Sequence, residues 1–187
     1  MSQPKLILFT SKSGNLATYV SMHFSELKPF YVHPDDDIEE VLKYIQAYST
    51  QHKLFGMSVG YTKLIPKNII DLFGGNLYNT HPGELPLTEG LYGRKVIQKM
   101  ISSYRQRGVI SIHQVDEHYD TGAVVDVLMF PYLESAFEIN LLREYEEDAE
   151  GIRCDFLHEW IDQYQRMLKL IEPTFVIRFI EQRIRFL

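Results

Sequence analysis

Apolar and polar positions follow two different periods along this chain. Residues 5–10, "KLILFT", are a nearly unbroken apolar run closed by "SKSGN", the pattern of a strand buried on both faces. Leu16, Val20, Phe24 and Leu27 then recur at helical spacing through residues 16–27. A short strand, "PFYV", fits residues 29–32. Residues 35–48 open with Asp35, Asp36 and Asp37, where a helix dipole favours negative charge, and continue as a helix. "KLFGMSVGY" (53–61) predicts a second buried strand. Residues 66–75 predict a short helix with Pro66 near its start and a glycine stop, and residues 76–81 a third inner strand. Val96, Ile97, Met100 and Ile101 share one face of a helix expected over 90–108. Residues 109–122 and 123–130 read as strands joined too closely for a crossover helix, hence an antiparallel edge hairpin. Strands alternating with helices predict an α/β fold with an open, mostly parallel, Rossmann-like sheet.

The pattern changes at residue 134. Residues 1–133 are expected to form the α/β domain and residues 134–187 a divergent helical tail. "EINLLREYEEDAEG" predicts an acidic helix. Further on, Phe156, Trp160, Ile161, Tyr164, Leu168 and Ile171 form one apolar stripe, and "TFVIRFIEQRIRFL" extends it beyond Pro173. Such a stripe packs on the chain's own sheet or on a second copy in a homodimer.

Composition narrows the class. Of 187 residues, 45% are hydrophobic and 24% charged, an ordinary globular balance. The net charge of −6 argues against nucleic acid or an anionic membrane as partner. No run approaches the ~18 apolar residues of a membrane span. The leading apolar run is too short for a signal peptide, and the single Cys154 fits a reducing compartment, the cytoplasm.

The chemistry concentrates at "YNTHPGELP", residues 78–86. Asn79 and His81 lie at a strand end that Pro82 prevents from continuing, and sites in open α/β sheets lie at such ends. An amide with two N–H donors beside a protonated imidazole suits a developing oxyanion. A carboxylate is needed to keep the imidazole charged. Asp120, in "VDEHYDTG", is the expected partner, brought close if two strands end at the same sheet edge; Asp116 and Glu117 compete with it in the same loop. "SKSGN" is a strand-to-helix turn able to hold an anion, without the spacing of a P-loop. His113 and His118 read as exposed histidines, and no metal-ligand pattern emerges.

Three stretches together carry a resemblance. "YNTHPGELPLTEGLYG", "GVISIHQVDEHYDTGAVV" and "VGYTKLIPKNIIDLFGGNLYN", within residues 55–130, resemble the formyltransferases that use 10-formyltetrahydrofolate, most closely the glycinamide ribonucleotide formyltransferase branch. The resemblance implies a cytoplasmic enzyme of one-carbon metabolism and purine biosynthesis. In it Asn79 and His81 stabilise the oxyanion, and Asp120 holds His81 charged. It places the folate against Thr62, Lys63, Leu64, Ile65, Val115, Asp116, Glu117, His118 and Tyr119. It places the small-molecule amine near Lys12, Ser13, Gly14, Asn15, Pro82 and Gly83. The stretch between "SGN" and "MSVGY" is short for the family, as if a βα unit were trimmed, and the first loop matches only in part. Glycinamide ribonucleotide is the default acceptor and a nucleotide-linked amino sugar the next. A formyltetrahydrofolate hydrolase and a non-catalytic folate-binding module are the remaining alternatives.

Overall fold

A computed structural model describes residues 3–11, 15–103, 105, 107–131 and 153–187. Among the described residues, six strands form one sheet: β1 (Lys5–Thr10), β2 (Phe30–Val32), β3 (Leu54–Val59), β4 (Leu77–His81), β5 (Arg107–Gln114) and β6 (Val124–Pro131). Their order is β2-β1-β3-β4-β5-β6. The first four run parallel, whereas β5 is antiparallel to both β4 and β6. The expected strands are all present, and the β5–β6 hairpin lies at the sheet edge.

The helices are α1 (Asn15–His23), α2 (Ile38–Ser49), α3 (Lys67–Ile70), α4 (Arg94–Ser102) and α5 (Arg153–Ile184). The interval that looked trimmed holds a continuous α1–β2–α2 run. Asp37 caps α2, its Oδ1 accepting from the Glu39 and Glu40 N–H groups at 2.9 and 3.4 Å. The helix expected over 90–108 is shorter, because β5 already begins at Arg107.

Alternation along the strands separates two faces. On one, Ile7, Phe9, Val32 and Leu77 pack with Val41 and Ile45 of α2 and Ile69 of α3. On the other, Leu6, Leu8, Phe55, Met57 and Tyr78 meet Val20 of α1 and Val176, Phe179 and Ile180 of α5. The first half of α5 supplies Trp160, Ile161, Tyr164 and Leu168 to a third cluster with α4, β5 and Phe130. The apolar stripe of the tail is therefore covered by this chain's own sheet, with Ile171 partly buried beside it. The side chain of Phe156 and the acidic helix expected from 134 lie outside the described residues. No helix among the described residues is long and apolar enough to cross a membrane.

Candidate active site

The site grows from one registered pair of residues. β4 turns Leu77, Asn79 and His81 to the α2–α3 side of the sheet and Tyr78 and Thr80 to the α5 side. Antiparallel pairing sets His113 directly across from Asn79, and Ser111 across from His81. His113 is only 3% exposed, which corrects the expectation of an exposed strand histidine; His118 is exposed as expected. The Asn79 amide nitrogen lies 3.1 Å from His113 Nε2 and 3.3 Å from Asp120 Oδ1.

Asp120 arrives by a route the sequence did not suggest. Because β5 is antiparallel, it ends beside Tyr78, at the opposite end of the sheet from the end of β4. Shared strand ends therefore do not bring Asp120 to the corner. Instead the loop 115–123 doubles back: the Val115 N–H donates to the Leu77 carbonyl and the Gln114 N–H to that of Ala123, both at 2.9 Å. Asp120 itself turns in the left-handed region, at φ 59°, which Asp tolerates better than most residues. Gly122 lies so close to the end of β5 that a Cβ there would sit 1.9 Å from the Gln114 carbonyl oxygen.

Asp120 joins the whole cluster. Its Oδ2 lies 3.5 Å from His81 Nδ1 and accepts from the Gly90 N–H at 3.3 Å, while Oδ1 lies 3.4 Å from His113 Nε2. Burial alone would push this carboxyl up. Hydrogen bonds from His113 and His81, reinforced by their charge, outweigh it and hold Asp120 well below the usual carboxylate range. The competing acids are engaged elsewhere. Asp116 accepts from the His118 N–H at 3.0 Å and the Thr121 hydroxyl at 2.7 Å, and Glu117 pairs with Lys67 at 3.0 Å.

His81 is clamped from its other side by Thr88, a residue that sequence reasoning passed over. The Thr88 hydroxyl donates to the Glu84 carbonyl and lies 2.9 Å from His81 Nε2, so it accepts that ring N–H. Both nitrogens of His81 then face oxygen atoms, Thr88 Oγ1 and Asp120 Oδ2. His113 differs. Its Nδ1–H is used on the Gln114 carbonyl at 2.8 Å, so Nε2 either accepts the Asn79 amide or, protonated, donates to Asp120. The alternation of "ISIHQ" was the available sign for His113; Thr88 left none beyond lying seven residues after His81.

Of the folate-side expectations, Val115 and Asp116 line a cleft of about 280 Å³, together with Leu77, Gln114, Gly122 and Ala123 among others. Glu117, His118 and Tyr119 are exposed near it in sequence; Thr62, Lys63 and Leu64 are exposed after β3, and Ile65 is buried in the core. Pro82 and Gly83 have their carbonyls tied inward, to Tyr164 and Ser111. Lys12, Ser13, Gly14 and the side chain of Asn15 lie outside the described residues. A second depression, on the outer surface of α5, is lined by Glu159, Asp162, Arg166 and Lys169 and holds none of the corner residues. Among the described residues no cluster of three His, Cys, Asp or Glu is placed to hold a metal ion.

An amide, an imidazole between two acceptors and a low-pKa carboxylate, set at a strand end of an open α/β sheet, suit a carbonyl whose oxygen becomes negative. The chain matches the family described as formyl transferase over residues 20–141, more than half its length, and it belongs to that family. It is 41% identical over 81 residues to the chloroplastic phosphoribosylglycinamide formyltransferase of Vigna unguiculata, covering 42% of this chain and 26% of that one. It thus spans about a quarter of the length of the curated relatives it matches. The phosphoribosylglycinamide formyltransferase of Anaplasma phagocytophilum has the same fold, with TM-score 0.62 and 13% identity over 97% of this chain and 89% of that one. So has the formyltransferase PseJ of Anoxybacillus kamchatkensis, solved with UDP-4,6-dideoxy-4-formamido-L-AltNAc and tetrahydrofolate, with TM-score 0.50 and 17% identity over 94% of this chain and 77% of that one.

Proposed function

We propose that this protein transfers a formyl group from 10-formyltetrahydrofolate to the primary amine of a small molecule, glycinamide ribonucleotide. The observation that carries this reading is the meeting of Asn79, His81 and Asp120 at one corner, with His113 behind them. In such a transfer the amine nitrogen bonds to the formyl carbon and the bond from that carbon to the donor nitrogen breaks. A proton leaves the attacking amine, one reaches the departing nitrogen, and a negative oxygen develops in between.

Without substrate the donors satisfy one another, through contacts of 3.3 Å between Asn79 and Asp120 and 3.5 Å between Asp120 and His81. All contacts of Asp120 in the cluster are long, between 3.3 and 3.5 Å, and an incoming oxygen displaces them at least cost. Asn79 then donates to the oxyanion and His81 balances its charge. Asp120 keeps His81 protonated and relays the proton between the two nitrogens. Val115 and Asp116, which line the cleft of about 280 Å³, are assigned to the folate, as are Thr62, Lys63, Leu64, Ile65, Glu117, His118 and Tyr119. The amine substrate falls to Lys12, Ser13, Gly14, Asn15, Pro82 and Gly83.

Residues 1–133 make the catalytic unit and residues 134–187 a C-terminal extension, whose described part, residues 153–187, packs on the sheet. A homodimer would use what α5 and the residues just after it leave outside, where Leu170 is 72% and Phe186 88% exposed. The lone Cys154 supports a reducing compartment such as the cytoplasm.

The test follows deformylation of 10-formyltetrahydrofolate optically, alone and with glycinamide ribonucleotide or a nucleotide-linked amino sugar. Turnover only with glycinamide ribonucleotide supports the reading. Equal turnover without any amine makes the protein a hydrolase, and folate binding without turnover makes it a binding module.

A further inference from the structure

The corner is also held from the side of the sheet away from the site, by α5. β4 ends at His81, paired with Ser111. Two residues back along β5, Val109 again presents its N–H and carbonyl toward where β4 would continue. Continued in register, β4 would set Gly83 there, but the pairing stops at His81, and the Gly83 carbonyl accepts the Ser111 hydroxyl instead. The Tyr164 hydroxyl fills the gap. It accepts from the Val109 N–H at 3.0 Å and directs its proton to the carbonyls of Pro82 and Val109, each at 3.2 Å. Burial pushes the Tyr164 hydroxyl up to about 12, so it keeps that proton. Two residues before Pro82, Thr80, the residue between Asn79 and His81, donates its hydroxyl to Glu172 Oε1 at 3.0 Å.

Neither polar group is what packing alone would choose. Tyr164 is fully buried among Ile161, Leu168 and Phe130, and Glu172 is partly buried on the same helix. A phenol or carboxyl in such an interface costs stability unless every polar atom is paired, and apolar residues of similar volume would fill the space more cheaply. Both groups are paired, and each pairs with the backbone or side chain of the corner itself.

We propose that Tyr164 and Glu172 are positioning residues, through which α5 sets the orientation of Asn79 and His81 by gripping Thr80 and Pro82 from behind. The kinetic part of this inference rests on the formyl-transfer reading above; the spectroscopic part does not. Tyr164→Phe keeps the ring and removes only the hydroxyl; Glu172→Leu and Thr80→Val remove the second grip from either end.

The experiment measures thermal melting, formyl transfer, folate binding and the imidazole NMR signals of His81 and His113 in the full chain. Tyr164→Phe and Thr80→Val are expected to stay folded, to lose about tenfold in kcat with folate affinity unchanged, and to shift the His81 signals. Thr80→Ser, which keeps the hydroxyl, restores both kcat and the signals. Variants that melt earlier yet keep parental kcat and imidazole signals overturn the inference and leave Tyr164 and Glu172 as packing. A parent that transfers no formyl group defeats the functional reading, and the imidazole signals then decide the positioning role alone.

Discussion

The Asn79 amide nitrogen contacts both His113 and Asp120, so in the proposed transfer it must exchange one of these contacts for substrate. Asn79→Ala is expected to lower kcat by about 10²–10³-fold, the usual cost of one lost oxyanion donor. Folate affinity, followed by titration calorimetry, should stay within a few-fold of the parent; equal turnover in variant and parent would reject the assigned role. Gly83 tests the other side of His81. A Cβ there would lie 2.5 Å from Thr88 Oγ1 and 2.6 Å from Val96 Cγ1. Gly83→Ala should push Thr88 off His81 Nε2, costing roughly 1–3 kcal/mol by overpacking and lowering kcat in protein that still folds. An unchanged kcat would show that the Thr88 clamp is dispensable.

Among the elements, the loop 115–123 and α5 do different work. The loop carries Asp120 over the end of β5, and its close approach at Gly122 is to backbone, which cannot swing aside as a side chain can. Gly122→Ala should therefore lift the loop, abolish the Asp120 contacts and remove activity, while hydrogen exchange in β1, β3 and β4 stays as in the parent. Retained activity would mean that the loop has room the geometry denies it. Helix α5 is a structural member of the core, since Ile161 and Ile180 have no exposed surface. Ile161→Ala or Ile180→Ala should cost about 2–5 kcal/mol, measured by denaturant titration, as for other large-to-small core changes. A loss below about 1 kcal/mol would separate α5 from the folding unit.

For the whole molecule, two carboxyls give stability opposite slopes with pH. Asp120 is held low in the folded state, so its contribution is complete above about pH 4, the ordinary aspartate value, and is lost as pH falls through its folded value. The stability gap between parent and Asp120→Asn should be constant near neutrality and shrink in acid. Glu172 is raised by burial, against the opposing hydrogen bond from Thr80. Its folded form binds the proton more tightly, so stability is greatest below about pH 4, the ordinary glutamate value, and declines as pH rises through the folded value. Glu172→Gln should therefore gain on the parent as pH rises from acid, and parallel curves would show that the carboxyl is solvated. The sequence by itself determined the strands, the helices carried by a clear apolar stripe and the Asn79–His81 corner. These follow from local periodicity, and from a proline that ends a strand wherever the fold places it. It also held the motifs that put the chain among formyltransferases. Only the tertiary structure decided that β5 runs antiparallel to β4, that His113 faces Asn79, that Thr88 clamps His81 and which surface α5 covers. Register and strand direction are set by packing between segments far apart in sequence, and no local pattern encodes them. Asp120 shows the difference: its identity was readable in the chain, but the path that brings it to His81 exists only in the folded loop.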